Sequence, residues 1–222
     1  MAIFLLVLLI QVIVVAIDNY SNTNLFFTKL KSKKTASAFT SRSKLLLYNR
    51  TIFFITPPLL GYLVTNQSLD EIMLIFLLAA FLTFFVTLVQ YFIFFKKNKM
   101  KLFRGMKDCI LKNYKSIYFY IGLLAFSIFL MSPFILNFLA ALLPKYSLLL
   151  VQMNPFITSL STFYVTLYMD PKISKKVDFS ESFSNEILES ITVRLLGRLL
   201  ILIASVAPPF IYYNISELLT TT

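Results

Sequence analysis

The chain of 222 residues has no histidine, a single cysteine and only four glycines, and each scarcity removes a class of chemistry. Without imidazole there is no His-dependent phosphatase, Ser-His hydrolase or H-E-x-x-H intramembrane metalloprotease, because each needs that ring as base, nucleophile or ligand. Cys109, standing alone, can form neither an intrachain disulfide nor a cysteine-rich metal cluster. So few glycines build no glycine-rich phosphate loop, and no ATP-binding or aspartate-rich metal motif is present. No cofactor, no metal and no catalytic site are expected. Charge is scarce as well: 14% of residues are charged against 58% hydrophobic, with mean hydropathy +0.79, too little polar surface to cover a water-facing sphere.

What is present is apolar sequence in long runs. A helix needs about 20 apolar residues to cross the hydrocarbon core, and six stretches approach this: 2–17, 45–64, 72–95, 117–143, 146–168 and 195–213. The expected fold is therefore all-α, an integral membrane protein of about six transmembrane helices forming one polytopic domain over 1–222. The first stretch lacks the basic flank and small-residue cleavage site of a signal peptide, so it reads as a retained span.

The net charge of +11 lies between the apolar runs, which points to lipid head groups and not to nucleic acid. The first connection carries Lys29, Lys31, Lys33, Lys34, Arg42 and Lys44; the third has Lys96, Lys97, Lys99, Lys101, Arg104, Lys107, Lys112 and Lys115; the fifth has Lys172, Lys175, Lys176 and Arg194. The second offers Asp70 and Glu71 without a base, and the fourth Lys145 alone. The positive-inside bias then places odd-numbered connections in the cytoplasm. Two of these are amphipathic, one through Phe103, Met106, Ile110 and Ile117, the other through Phe179, Phe183, Ile187 and Ile191; each lies flat at the interface or continues as a connecting helix. Three spans followed by three would also fit a 3+3 inverted arrangement, pairing the second span, interrupted by Pro57, Pro58 and Gly61, with the fifth, interrupted by Asn154 and Pro155. Ordinary proline kinks are the plainer explanation of both.

Few polar groups could do chemistry. Arg50, about 8 Å inside the second span, either snorkels to the head groups or contacts a substrate. Arg194 and Arg198 share a helical face at the start of the sixth span. Guanidinium suits phosphate oxygens; Arg194, nearest the connection, reads as an anchor. Asp18 ends the first stretch and Asp170 the fifth, where either could pair with Arg50 or Arg198, while Asp170 before Pro171 also reads as a helix stop.

The same residues resemble the Amj family of bacterial lipid II flippases. Arg50 followed by Pro58-Leu59-Leu60-Gly61, then Asn154-Pro155, Ser161-Thr162-Phe163 and Met169-Asp170-Pro171-Lys172-Ile173, then Gly197-Arg198 and Pro208, occur in the order of that family, after Ile17-Asp18 and Tyr20-Ser21. Asn22 to Asn24 and Thr56 depart from it, where an arginine and a glutamine are expected. The resemblance implies movement of an undecaprenyl-pyrophosphate-linked peptidoglycan precursor, lipid II, from the inner to the outer leaflet of a bacterial cytoplasmic membrane. Arg50 and Arg198, with Asp18, Asp170 and Asn154, would contact that substrate, and the bends at Pro58, Gly61 and Pro155 would gate it. The partners implied are the precursor and the bilayer, with a homo-oligomer left open. The competing expectation is a non-transporting membrane subunit or scaffold.

Overall fold

A computed structural model describes residues 2–32, 34–66, 68–98, 102–178 and 184–220. Among the described residues there is no strand, and three helices are long and apolar enough to cross a membrane, or four when one bent pair is taken as a single span.

The first of these runs from Ala2 to Lys31 as α1 (Ala2–Tyr20), a π-turn (Ser21–Leu25) and α2 (Phe26–Lys31). It does not end at Asp18, as the drop in hydropathy suggested, because local side chains take up the carbonyls that the widened turn releases. Ser21 Oγ and Asn22 Nδ2 donate to the Asp18 carbonyl at 2.9 and 2.7 Å, and Thr23 Oγ1 to that of Asn19 at 2.6 Å. A π-turn costs less when its released acceptors are satisfied in this way.

The expected second span, 45–64, is not one helix. α3 (Thr35–Phe53) stops, and α4 (Thr56–Asn66) restarts after a turn at Phe54 and Ile55. Pro57 and Pro58 dictate this, since neither has an N–H to give to the carbonyls of Phe53 and Phe54, and both are tolerated only in the first turn of a new helix. α5 (Leu69–Lys97) is continuous and opens with a capping box, Ser68 and Glu71 each accepting from the other's backbone N–H. α6 (Leu102–Asn113) is a separate short helix. The stretch 117–143 breaks by 65° between α7 (Ile117–Ile128) and α8 (Ser132–Leu142), just before Pro133. After a 3-10 turn (Pro144–Tyr146), α9 (Ser147–Gln152) and α10 (Asn154–Tyr164) follow one another with only a turn at Met153 before Pro155. A second π-turn (Val165–Met169) leads into α11 (Asp170–Asp178), and Ser147–Val177 counts as one long helix. The expected stop at Asp170 is thereby corrected: the π-turn resets the hydrogen-bond register just where Pro171 could donate nothing to Leu167. α12 (Ser184–Thr220) covers the sixth stretch.

α1 packs on α5 and α3, α12 on α7 and α5, α4 on α8, and α10 on α7. The contact of α12 with α7 is close because Gly197 faces the α7 backbone: a Cβ there would lie 2.9 Å from the Leu123 carbonyl oxygen and from the Ser127 nitrogen. Small residues at such crossings let membrane helices approach. An apolar cluster around Leu63, Phe76, Met131 and Phe134 fills one end of the bundle, and another around Phe26, Phe94, Phe95 and Phe119 fills the other. The latter cluster takes in Met106 and Ile110 of α6 with Ile187 and Ile191 of α12. The apolar faces foreseen in the two amphipathic connections therefore pack together at these positions; the side chain of Phe103, and Phe179 and Phe183, lie outside the described residues, as do Lys33, Lys99 and Lys101.

Candidate functional site

Between the two apolar ends lies a polar layer. Arg194 and Arg198, one turn apart on α12, both reach Oδ2 of Asp18, at 3.0 and 2.8 Å. Arg198 also donates to Asn19 Oδ1 and Thr87 Oγ1, Asn19 Nδ2 donates to Gln90 Oε1 at 2.7 Å, and Gln90 Nε2 to the Ala16 carbonyl at 3.2 Å. The guanidinium of Arg194 lies over the Phe126 ring, 4.3 Å from its centroid. Three charges buried together in this way are tolerable only because each is paired or hydrogen-bonded. Even so, the Nε atoms of Arg194 and Arg198 and the Tyr91 hydroxyl are buried without a partner.

Beside this layer opens a cavity of about 420 Å³ between α3 and the helix formed by α10, the second π-turn and α11. Its wall includes Asp18, Asn22 and Arg194 on the inside, Arg42, Asn49 and Arg50 from α3, and Ser161, Thr162, Thr166 and Asp170 opposite. Two polar contacts bridge its sides. Arg42 pairs with Asp170, its guanidinium held 4.4 Å from the centroid of the Phe26 ring, and Arg50 donates to Thr162 Oγ1. Three guanidiniums thus face two carboxylates, an excess of positive charge that suits an anion. Arg50 differs from the other two: it is exposed, and its one polar contact is with a neutral hydroxyl. No group of three or more acidic, cysteine or histidine side chains suited to a metal occurs among the described residues.

Of the residues singled out in the sequence, Asp18, Asp170 and Arg50 line the cavity, whereas Arg198 sits behind Asp18 as its buried partner. Asp170 pairs with Arg42 and Asp18 with Arg194 and Arg198, so neither carboxylate pairs with Arg50. Asn154 is elsewhere, buried and accepting from Ser132 Oγ at 2.6 Å. Pro58, Gly61 and Pro155 also lie off the cavity wall, Pro58 in the first turn of α4 and Pro155 in the first turn of α10, while a Cβ at Gly61 would make only ordinary contact with Asn137 at 3.9 Å.

Arg42 escaped notice as one charge among the loop lysines, although Arg42, Leu46, Asn49 and Arg50 stand at i, i+4, i+7 and i+8, the signature of one helical face. From sequence Arg194 reads as an anchor, because its depth is visible there and its pairing with Asp18 is not. A second ionic cluster was also missed: Lys172 and Tyr168 engage Glu189, and Lys176 lies 3.6 Å from Glu186, which ties α11 to α12. No family model, curated protein or solved structure matches the chain.

Proposed function

We propose that the chain crosses a bacterial cytoplasmic membrane about six times, in a 3+3 arrangement with its odd-numbered connections inside, and moves lipid II from the inner to the outer leaflet. The observation that carries this reading is Arg50: a guanidinium that meets a hydroxyl and no carboxylate, in a polar cavity otherwise held together by ion pairs. The six crossings would be α1–α2, α3 with α4, α5, α7 with α8, α9–α11, and α12. The polar cavity residues come from chain next to the lysine-rich first and fifth connections, which the positive-inside bias puts in the cytoplasm, where such a precursor is made available. The pyrophosphate head would enter beside Arg50, with Arg42 and Arg194 deeper in, and the polar faces of α3 and α10 would shield it from hydrocarbon.

A non-transporting membrane subunit is the second reading. It is favoured by the commitment of Arg194 and Arg198 to Asp18, which makes those two arginines part of the scaffold. Expression in cells depleted of their other lipid II flippases separates the two: transport restores lipid II to the outer leaflet, and a scaffold at normal protein level does not.

A further inference from the structure

A second recess, of about 270 Å³, lies between α7 and the α10 helix with its π-turn. Its walls are apolar, with Leu124 of α7 facing Leu160, Phe163 and Leu167, and the rings of Tyr118 and Tyr168 stacked 4.5 Å apart beside them. Leu124, Phe163 and Leu167 are 62%, 56% and 75% exposed, so the groove opens outward from the bundle.

The groove and the polar cavity share a wall. Ser161, Thr162, Val165 and Thr166 line the cavity, while Leu160, Phe163, Tyr164, Leu167 and Tyr168 line the groove, the alternation of a helix with one polar and one apolar flank. The partition itself is aromatic. Tyr164 meets Phe126, a cavity residue, edge-on at 5.8 Å, and it can lie against α7 only because Gly122 has no side chain: a Cβ there would stand 2.4 Å from the Tyr164 ring. A molecule with its charged head in the cavity would reach the groove by passing its chain around one helix, about 10–12 Å across. Only an amphiphile with a long chain uses both recesses. Tyr118, Phe163, Tyr164 and Tyr168 add aromatic surface to the groove, which a long hydrocarbon chain can cover.

We propose that this groove holds the isoprenoid chain of a polyprenyl diphosphate lipid whose head occupies the cavity. The identity of the lipid rests on the transport reading above; the pairing of cavity and groove does not.

The test is photolabelling of the purified full chain in phosphatidylcholine nanodiscs, using a polyprenyl diphosphate with a diazirine in its chain and, in parallel, a phosphatidylcholine with a diazirine in its acyl chain. Adducts from the polyprenyl probe are expected at Leu124, Phe163 and Leu167, displaced by excess unlabelled polyprenyl diphosphate. Leu167→Trp, at a position the fold leaves open to lipid, should weaken that labelling at Leu124 and Phe163 roughly tenfold, the loss that goes with about two buried methylene contacts. Equal labelling by both probes, adducts that competitor does not displace, or labelling unchanged by Leu167→Trp would each overturn the proposal by making the groove part of the ordinary lipid surround. Displaceable labelling in a chain that fails to restore outer-leaflet lipid II would remove transport and keep the groove. Restoration without displaceable labelling would do the reverse.

Discussion

Asp18 and Arg198, 180 residues apart in sequence, meet at 2.8 Å inside the bundle. Their side chains are 3% and 1% exposed, so the contact joins α1 to α12 away from water. Removing the carboxylate while keeping its shape leaves two buried guanidiniums without a counter-charge. Asp18→Asn should therefore cost about 3–5 kcal/mol, read as a clear fall in thermal unfolding temperature in detergent. An unchanged midpoint would mean the pair does not hold the bundle.

The approach of α12 to α7 depends on the absence of a side chain at Gly197, whose Cβ would stand 2.9 Å from backbone atoms of α7. Backbone cannot swing aside as a side chain would. Gly197→Ala should destabilise by about 1–3 kcal/mol, the range for overpacking, and should shift Arg194 off Phe126. Thermal unfolding checks the first effect, and wild-type stability in that variant would contradict the packing.

Across the cavity, the Arg42–Asp170 pair ties α3 to α11. Asp170→Asn removes the charge that holds Arg42 and should loosen the cavity wall. A cysteine placed at Ser43, exposed at the cavity, should then react several-fold faster with a charged thiol reagent in a Cys109→Ser background. Unchanged reactivity would show that the pair does not restrain that wall.

Cys109 lies on α6, outside the long apolar helices, and is 6% exposed. Burial pushes its thiol above the ordinary range, against the opposing effect of side-chain hydrogen bonds with Thr192 and Asn113. The folded chain then holds this proton to higher pH than the unfolded chain. Its contribution to stability is present below the ordinary thiol value and is lost as pH rises through the raised one. Maleimide should accordingly modify the native protein slowly at neutral pH, faster as pH rises, and fully once the chain is unfolded. Rapid labelling of the native state at neutral pH would contradict this burial.

Hydropathy made the long helices legible because burial in lipid demands continuous apolar sequence, and α5 appears almost as expected from 72–95. The breaks were partly legible. Pro57 and Pro58 divide α3 from α4, but the 65° bend before Pro133 went unread, since one proline in an apolar run gives no sign of how far the chain turns. The π-turns beside Asp18 and Asp170 left no hydropathic trace: the polar run Ser21 to Asn24 looks like a loop until its side chains are seen to return to the helix carbonyls. Of the site, sequence singled out Asp18, Arg50, Asp170 and Arg198 by charge in apolar surroundings. It could not tell which arginine faces which carboxylate, because the pairs Arg42 with Asp170 and Arg198 with Asp18 are made by tertiary packing.

Arg50 is the residue on which the proposed transport turns, since it is exposed at the cavity and its loss breaks no ion pair. The direct measurement compares wild type with Arg50→Gln in cells lacking other lipid II flippases, scoring outer-leaflet lipid II at matched protein level. The account predicts normal accumulation and stability of Arg50→Gln with outer-leaflet lipid II reduced at least about tenfold, the weight of one charge-assisted hydrogen bond of about 1.5 kcal/mol or more. Undiminished lipid II with Arg50→Gln would contradict it.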